Sequence, residues 1–139
     1  LTVVLDSNVV VALALDTGHA PAINRSLREW QGSEEGLHAP ALFRYEVANA
    51  LTRYIVAGAI ELPDATAAWR RAVAMPITLH GLEDGPAAIA IARSLKRKSA
   101  YDAAYVALAQ ELDAELWTLD GPLARNAAGV DLPVRLIQV

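Results

Sequence analysis

Asp6, Glu46, Asp102 and Asp120 are the residues of this chain best suited to chemistry. Each stands where a strand is expected to end, where a helix is expected to begin, or beside the apolar stripe of an expected helix. Acids this far apart in sequence that converge in the fold make a pocket of oxygen ligands for a hard divalent cation. Mg²⁺ is usually held by one or two carboxylates with several waters retained, and Mn²⁺ accepts similar sites. One or two such ions can activate a water, neutralise a phosphate oxygen and steady the leaving oxygen of an in-line displacement, the chemistry of phosphodiester cleavage. The chain has no cysteine, so thiolate ligands, disulfides and a thiol nucleophile are excluded.

A plainer role is open to each acid. Asp6, Ser7 or Asn8 can simply cap the helix that follows, and Asp120, ahead of Gly121 and Pro122, is ordinary turn chemistry. Asp102 follows Ser99 by three residues and resembles a capping box with Asp in place of Glu. Set among Ala100, Tyr101, Ala103 and Ala104, however, it is expected to face a crevice, where a carboxylate is costly unless paired or bound to a cation. Glu46 is the hardest to explain plainly. It lies one turn after Leu42 and one turn before Ala50, at the margin of an apolar stripe, and Arg53 is at the wrong spacing for a good intrahelical pair.

The elements that must position these acids follow from the apolar pattern. Residues 2–5 read as a buried strand, with a polar turn at Asp6-Ser7-Asn8 and a helix through residue 15. A second helix is expected over 22–30, a polar loop over 32–36, a short strand over 37–39 and a helix starting at Pro40. Phe43, Val47, Ala50, Leu51, Tyr54 and Ile55 recur at three and four, giving an amphipathic helix over 42–57 that Gly58 ends. Beyond it come a helix from Pro63 to Val73, a strand over 77–79, a helix from Gly85 to about Lys98 and another from Ser99 to Leu112. A strand over 115–119 ending at Asp120, a short helix from Pro122 and a strand over 134–139 complete the pattern. Strands alternating with helices of this length predict one α/β domain over residues 1–139, a mostly parallel sheet flanked by helices. In such sheets ligands collect at the carboxyl ends of the strands, where Asp6 and Asp120 stand.

Taken together, four segments resemble the PIN-domain family, and within it the VapC-like toxin ribonucleases of type II toxin-antitoxin pairs. They are Asp6-Ser7-Asn8 after the first strand, PALFRYEVANAL from Pro40, SAYDAAYVAL from Ser99, and TLDGPLAR from Thr118. The resemblance implies a parallel sheet of five strands and a single PIN domain. It implies that Asp6 and Asp102 are direct Mg²⁺ ligands, that Glu46 and Asp120 complete the pocket partly through water, and that Ser7, Asn8 and Thr118 orient the carboxylates or the phosphate. A homodimer and a cognate antitoxin that covers the active site are implied as well.

The net charge of -4 argues against a protein that coats nucleic acid generally. It does not exclude a nuclease, because four of the sixteen acids would be neutralised by cations and the rest nearly balance twelve Lys and Arg. Arg93, Lys96, Arg97 and Lys98, with Arg44, are candidates to track RNA phosphates, although the run also reads as a solvated helix end. His19, His38 and His80 read as isolated histidines. The longest apolar runs fall well short of the ~20 residues that span a bilayer, so the expected location is the cytoplasm. Two other functions were weighed. A phosphoryl-transfer or receiver domain would need a second adjacent acid and a late lysine, but Asn8 replaces any DxD and no Lys follows Lys98. A non-catalytic PIN-like scaffold that binds RNA or protein is the other.

Overall fold

Val3, Val4 and Leu5 form a strand in which all three side chains have no solvent exposure. Successive strand side chains point to opposite faces, so both faces of this strand are covered, as a parallel sheet requires. The computed structural model describes residues 2–30 and 36–138. Its elements run β1 (Val3–Leu5), α1 (Ser7–Ala14), α2 (Ala20–Trp30), β2 (Leu37–Pro40), α3 (Phe43–Val56), α4 (Leu62–Ala74), β3 (Ile77–His80), α5 (Gly85–Ser94), α6 (Tyr101–Glu111), β4 (Glu115–Thr118), α7 (Gly121–Gly129) and β5 (Val134–Leu136).

The sheet has five strands in the order β3-β2-β1-β4-β5, and every pairing is parallel. From β1 the chain builds outward through β2 and β3, then crosses back to lay β4 and β5 on the other side. The strand order therefore reverses between β1 and β4, the place where an open α/β sheet leaves a crevice at its carboxyl edge. Register pairs Leu5 with Trp117, which brings Asp6, just after β1, beside Thr118, the last residue of β4.

Helices close the faces. α6 packs on β1, β2 and β4 and is backed by α5, while α1 packs on β4 and gathers α2, α3 and α4. The helix α1 is buried at Val9, Val10, Val11, Ala12 and Ala14, so its run of valines is a packing device and not an exposed amphipathic face. Arg71 of α4 donates from Nε to the carbonyl of Ala14 at 2.8 Å, using its charge at the carboxyl end of α1. Among the described residues no helix is long and apolar enough to cross a membrane.

The structure departs from the expected elements in four places. Pro40 is the last residue of β2 and not a helix start, since α3 begins only at Phe43. Pro40 suits a strand end because it has no N–H to give to the ladder. The helix from Gly85 stops at Ser94, where Lys96 takes a positive φ of 56° and the Arg97 N–H reaches back to Ala92 at 2.9 Å. The capping box at Ser99 does not form: Ala100 is the N-cap of α6, and the Ser99 hydroxyl accepts from Tyr101 N–H instead. His38 and His80 are not isolated, since their rings meet across β2 and β3 at 2.8 Å. Residues 32–35 of the expected loop and the last residue of the expected 134–139 strand lie outside the described residues.

Because β1 is packed on both sides, Leu5→Ala is expected to cost about 2–5 kcal/mol of unfolding free energy. The exposed Val56→Ala, at a position 83% exposed, is expected to stay within about 0.5 kcal/mol. Urea denaturation of the two variants beside the parent checks this.

Candidate functional site

At the crevice between β1 and β4 the two strands are stitched together by side chains. Thr118 is fully buried, and its hydroxyl donates to Asp6 Oδ2 at 2.8 Å. The Thr118 hydroxyl oxygen in turn accepts from Asn8 Nδ2 at 3.2 Å and from Asp120 N–H at 3.0 Å. Asn8 Nδ2 also reaches Asp6 Oδ2 at 3.3 Å, and Asn8 Oδ1 accepts from Leu119 N–H at 3.2 Å. That last contact orients the amide, because a backbone N–H can only meet its oxygen. Asp6 is thus held by residues from both strand ends. It is also the N-cap of α1, accepting from Asn8 N–H at 3.4 Å, so capping and site roles coincide in one side chain.

Burial governs the charge of Asp6. With 9% of its surface exposed, loss of solvation pushes its carboxyl up to about 6. The hydrogen bonds from Thr118 and Asn8 oppose that rise, and the nearby Glu46 and Asp102 carboxylates add to it. Glu46 responds in the same direction, raised first by burial and further by Asp102, while Tyr105, Ser7 and Arg53 act against the rise. Asp6, Glu46 and Asp102 therefore share one electrostatic neighbourhood, although they come from three different segments of chain.

Glu46 reaches this neighbourhood from the first turn of α3. Its Oε1 accepts from the Tyr105 hydroxyl at 2.6 Å. Tyr105, on α6 one turn beyond Asp102, is nearly fully buried. Its own ionisation is pushed far up by burial and by the Glu46 carboxylate, so it stays a neutral donor. Sequence reasoning missed Tyr105. The available signal was its spacing of three from Asp102, which places both on one helix face. The Ser7 hydroxyl donates to Asp6 Oδ1 at 3.4 Å and lies near enough to Glu46 and Tyr105 to oppose the rise of both pKa values.

Asp120 joins the group through a different partner. One of its oxygens caps α7, accepting from Leu123 N–H at 3.0 Å, and the other faces Arg97 at 4.0 Å. Arg97 also lies 3.5 Å from Asp102 Oδ2. Of the basic candidates, Arg97 is therefore drawn into the carboxylates. Arg93, Lys96, Lys98 and Arg44 are exposed.

The donor set suits a hard cation. It is made only of oxygen, and two of its carboxyls sit at raised pKa values because negative charges face one another in a poorly solvated place, which a divalent ion would relieve. Among the described residues no three acidic or histidine side chains form a cage that could hold a metal ion as they stand. Such a cage is not what Mg²⁺ needs, since it keeps several waters and uses one or two carboxylates. Cavity size is a poor guide here. A cavity of about 820 Å³ lies by His80, Leu82 and Tyr101 and contains none of the four acids, whereas a smaller one of about 420 Å³ is lined by Ser7, Asn8, Glu46 and Arg53. The acids and their shared charge locate the site.

Comparison with known proteins agrees with this geometry. The family model of the PIN domain matches residues 3–129. The chain is similar to ribonuclease VapC3 of Mycobacterium tuberculosis, 35% identical over 124 residues that span 88% of this chain and 85% of that one. It is similar also to ribonuclease VapC12 of the same species, 32% identical over 124 residues covering 89% and 91%. Among solved structures, PAE2754 from Pyrobaculum aerophilum superposes with a TM-score of 0.68 over 91% of this chain and 79% of that chain. At 20% identity that likeness speaks for the fold.

Holding Asp6 ionised costs stability. The unfolded chain ionises this group near pH ~4 and the folded chain near 6. The folded state therefore binds the extra proton between those values, and stability falls as pH rises through that window. The cost is absent below pH ~4 and complete above pH 6, at up to about 3 kcal/mol. Asp6→Asn removes the titration, so the melting temperature of the variant relative to the parent is expected to climb from pH 4 to pH 7.5. Metal-free thermal melts across that range check it, and a flat difference would refute the assignment.

Proposed function

The chain belongs to the PIN-domain family, and from that premise we propose that it is a metal-dependent endoribonuclease, the toxin of a type II toxin-antitoxin pair. The observation that carries the reading is the convergence of Asp6, Glu46 and Asp102 at the strand-order reversal, with Asp120 tied to Asp102 through Arg97. The named relatives support it: both are ribonucleases matched over most of their length.

Asp6 and Asp102 would hold Mg²⁺ or Mn²⁺ directly, with Glu46 and Asp120 completing the shell. A divalent ion in that place lowers the pKa of water and neutralises charge on the phosphate. The chain's own residues do the rest. Thr118 and Asn8 fix both the position and the ionisation of Asp6, the work of residues that stand behind a ligand. Tyr105 fixes Glu46 by one oxygen. Burial raises the pKa of Glu46, so it would take up a proton more readily than an exposed carboxylate does. Ser7 would add a donor to Asp6.

RNA is the favoured substrate because the chain has no long insertion with which to grip structured DNA, and accessible single strands or loops are where RNA is most often read. Exposed Arg93, Lys98 and Arg44 would contribute affinity along the backbone without reading bases. A cognate antitoxin covering the carboxylates, a homodimer and a cytoplasmic location belong to the same reading.

The test is cleavage of a single-stranded RNA pool by the purified chain. Cutting is expected with Mg²⁺ or Mn²⁺, none with EDTA, and none by an Asp102→Asn variant whose circular dichroism matches the parent. In parallel, Mn²⁺ is expected to raise the melting temperature of the parent but not of Asp102→Asn. A folded parent that takes up Mn²⁺ yet leaves every RNA intact would move the reading to a binding scaffold.

A further inference from the structure

Beside the carboxylates lies a second, oppositely charged place. The turn after α5 and the first turns of α7 enclose an open cavity of about 580 Å³, lined by Lys96, Arg97, Arg125 and Asn126 together with Leu95 and Pro122. None of its lining residues is acidic. Among the described residues, Lys96 and Arg125 make no ion pair and no side-chain hydrogen bond. Such a concentration of cations repels itself and is stable only when solvated or when an anion enters.

Three features show that the cations are placed. Lys96 occupies the left-handed position at the end of α5, with φ 56°, where glycine would be the residue of least strain. Arg125 folds back over Gly121, close enough that a Cβ at that glycine would come within 3.1 Å of its Nη1 and ask the guanidinium to shift slightly. Arg97 turns its terminal nitrogens to Asp102 and Asp120, and its buried Nε has no hydrogen-bond partner. Arg97 thus belongs to both places, lining the basic cavity while touching two of the four acids.

We propose that this cavity is a phosphate subsite, holding an RNA backbone phosphate that neighbours the one being cut. The proposal rests on the ribonuclease reading. A strand whose scissile phosphate lies at Asp6 and Asp102 must carry its next phosphates past the flank of the site, and Arg97 marks this cavity as one such flank. An acidic protein segment laid over the site would fit the same charge, but it would not make the RNA affinity of the chain alone depend on these cations. Contacts of this kind set affinity and register without reading sequence, so the subsite positions the strand and leaves the choice of cut site to other residues.

The experiment measures binding of a short single-stranded RNA to the full chain in EDTA, by fluorescence anisotropy at several salt concentrations. Lys96→Gln and Arg125→Gln are each expected to weaken binding several-fold. The double variant is expected to flatten the slope of log affinity against log salt by about 1.4, two contacts at roughly 0.7 each on a single strand. Gly121→Ala keeps the charge but displaces Arg125 and is expected to weaken binding less than Arg125→Gln does. Arg28→Gln, on α2, is expected to change nothing. With Mn²⁺ present, the variants should cut the same bonds as the parent at lower efficiency. If the parent cuts RNA while the double variant binds with unchanged affinity and slope, the subsite is overturned and the ribonuclease reading stands. If the variants lose RNA binding but the parent cuts nothing with metal, the subsite stands and the ribonuclease reading falls.

Discussion

A single buried carboxylate constrains this structure more than any other group. Asp6 follows the central strand, caps the helix that fills the space beside it, and receives a 2.8 Å bond from Thr118 at the end of β4. An ionised group so little exposed is tolerated only with its donors in place. The register of β1 on β4 is therefore coupled to the site: a slip of one residue would turn Thr118 away and leave the charge unanswered. The valines around it secure the strand, and Asn8 closes the gap by bonding both strand ends at once.

Around that group the other acids are arranged at a cost to the free protein. Glu46 and Asp102 raise the energy of an ionised Asp6, and the structure answers with donors: Thr118 for Asp6, Tyr105 for Glu46, and Arg97 shared by Asp102 and Asp120. These partners restrain the acids without cancelling their charge. A site built for stability alone would have replaced one acid with an apolar residue, since a buried charge contributes little to folding even when paired. Retained repulsion of this kind is what a cation would relieve, and it marks the cluster as functional more clearly than cavity size does.

Much of this was legible in the residues. The apolar run before Asp6, the strand before Asp120 and the stripe that left Glu46 at its margin placed three acids correctly, because local pattern decides which elements form. What escaped was tertiary. Asp120 was weighed as a cap or a ligand, and the structure uses one oxygen for the cap and turns the other to Arg97. Pro40 satisfies a helix start and a strand end equally well, and only the pairing of β2 with β3 chose between them. Arg97 read as one cation in a run because its partners lie on α6 and α7. The helix before it was expected to continue through residue 98, with no glycine or proline to mark the turn that Lys96 makes. Tyr105 looked like core, which it is, and its hydroxyl matters only because Glu46 arrives from α3.

The acidic balance of the chain also looks different once its charges have places. A net -4 seemed at odds with a polyanionic substrate, but long-range charge is screened beyond roughly 10 Å at 0.1 M salt. What a strand meets near the crevice is therefore local. Asp6, Glu46, Asp102 and Asp120 are gathered on one side, where a divalent ion would offset them, and Lys96, Arg97 and Arg125 on the other. The sum over the sequence thus bears on solubility and on nonspecific coating of nucleic acid, while the alternation of charge across the few residues at the ends of β1, β4 and α5 decides whether a phosphate backbone can settle there.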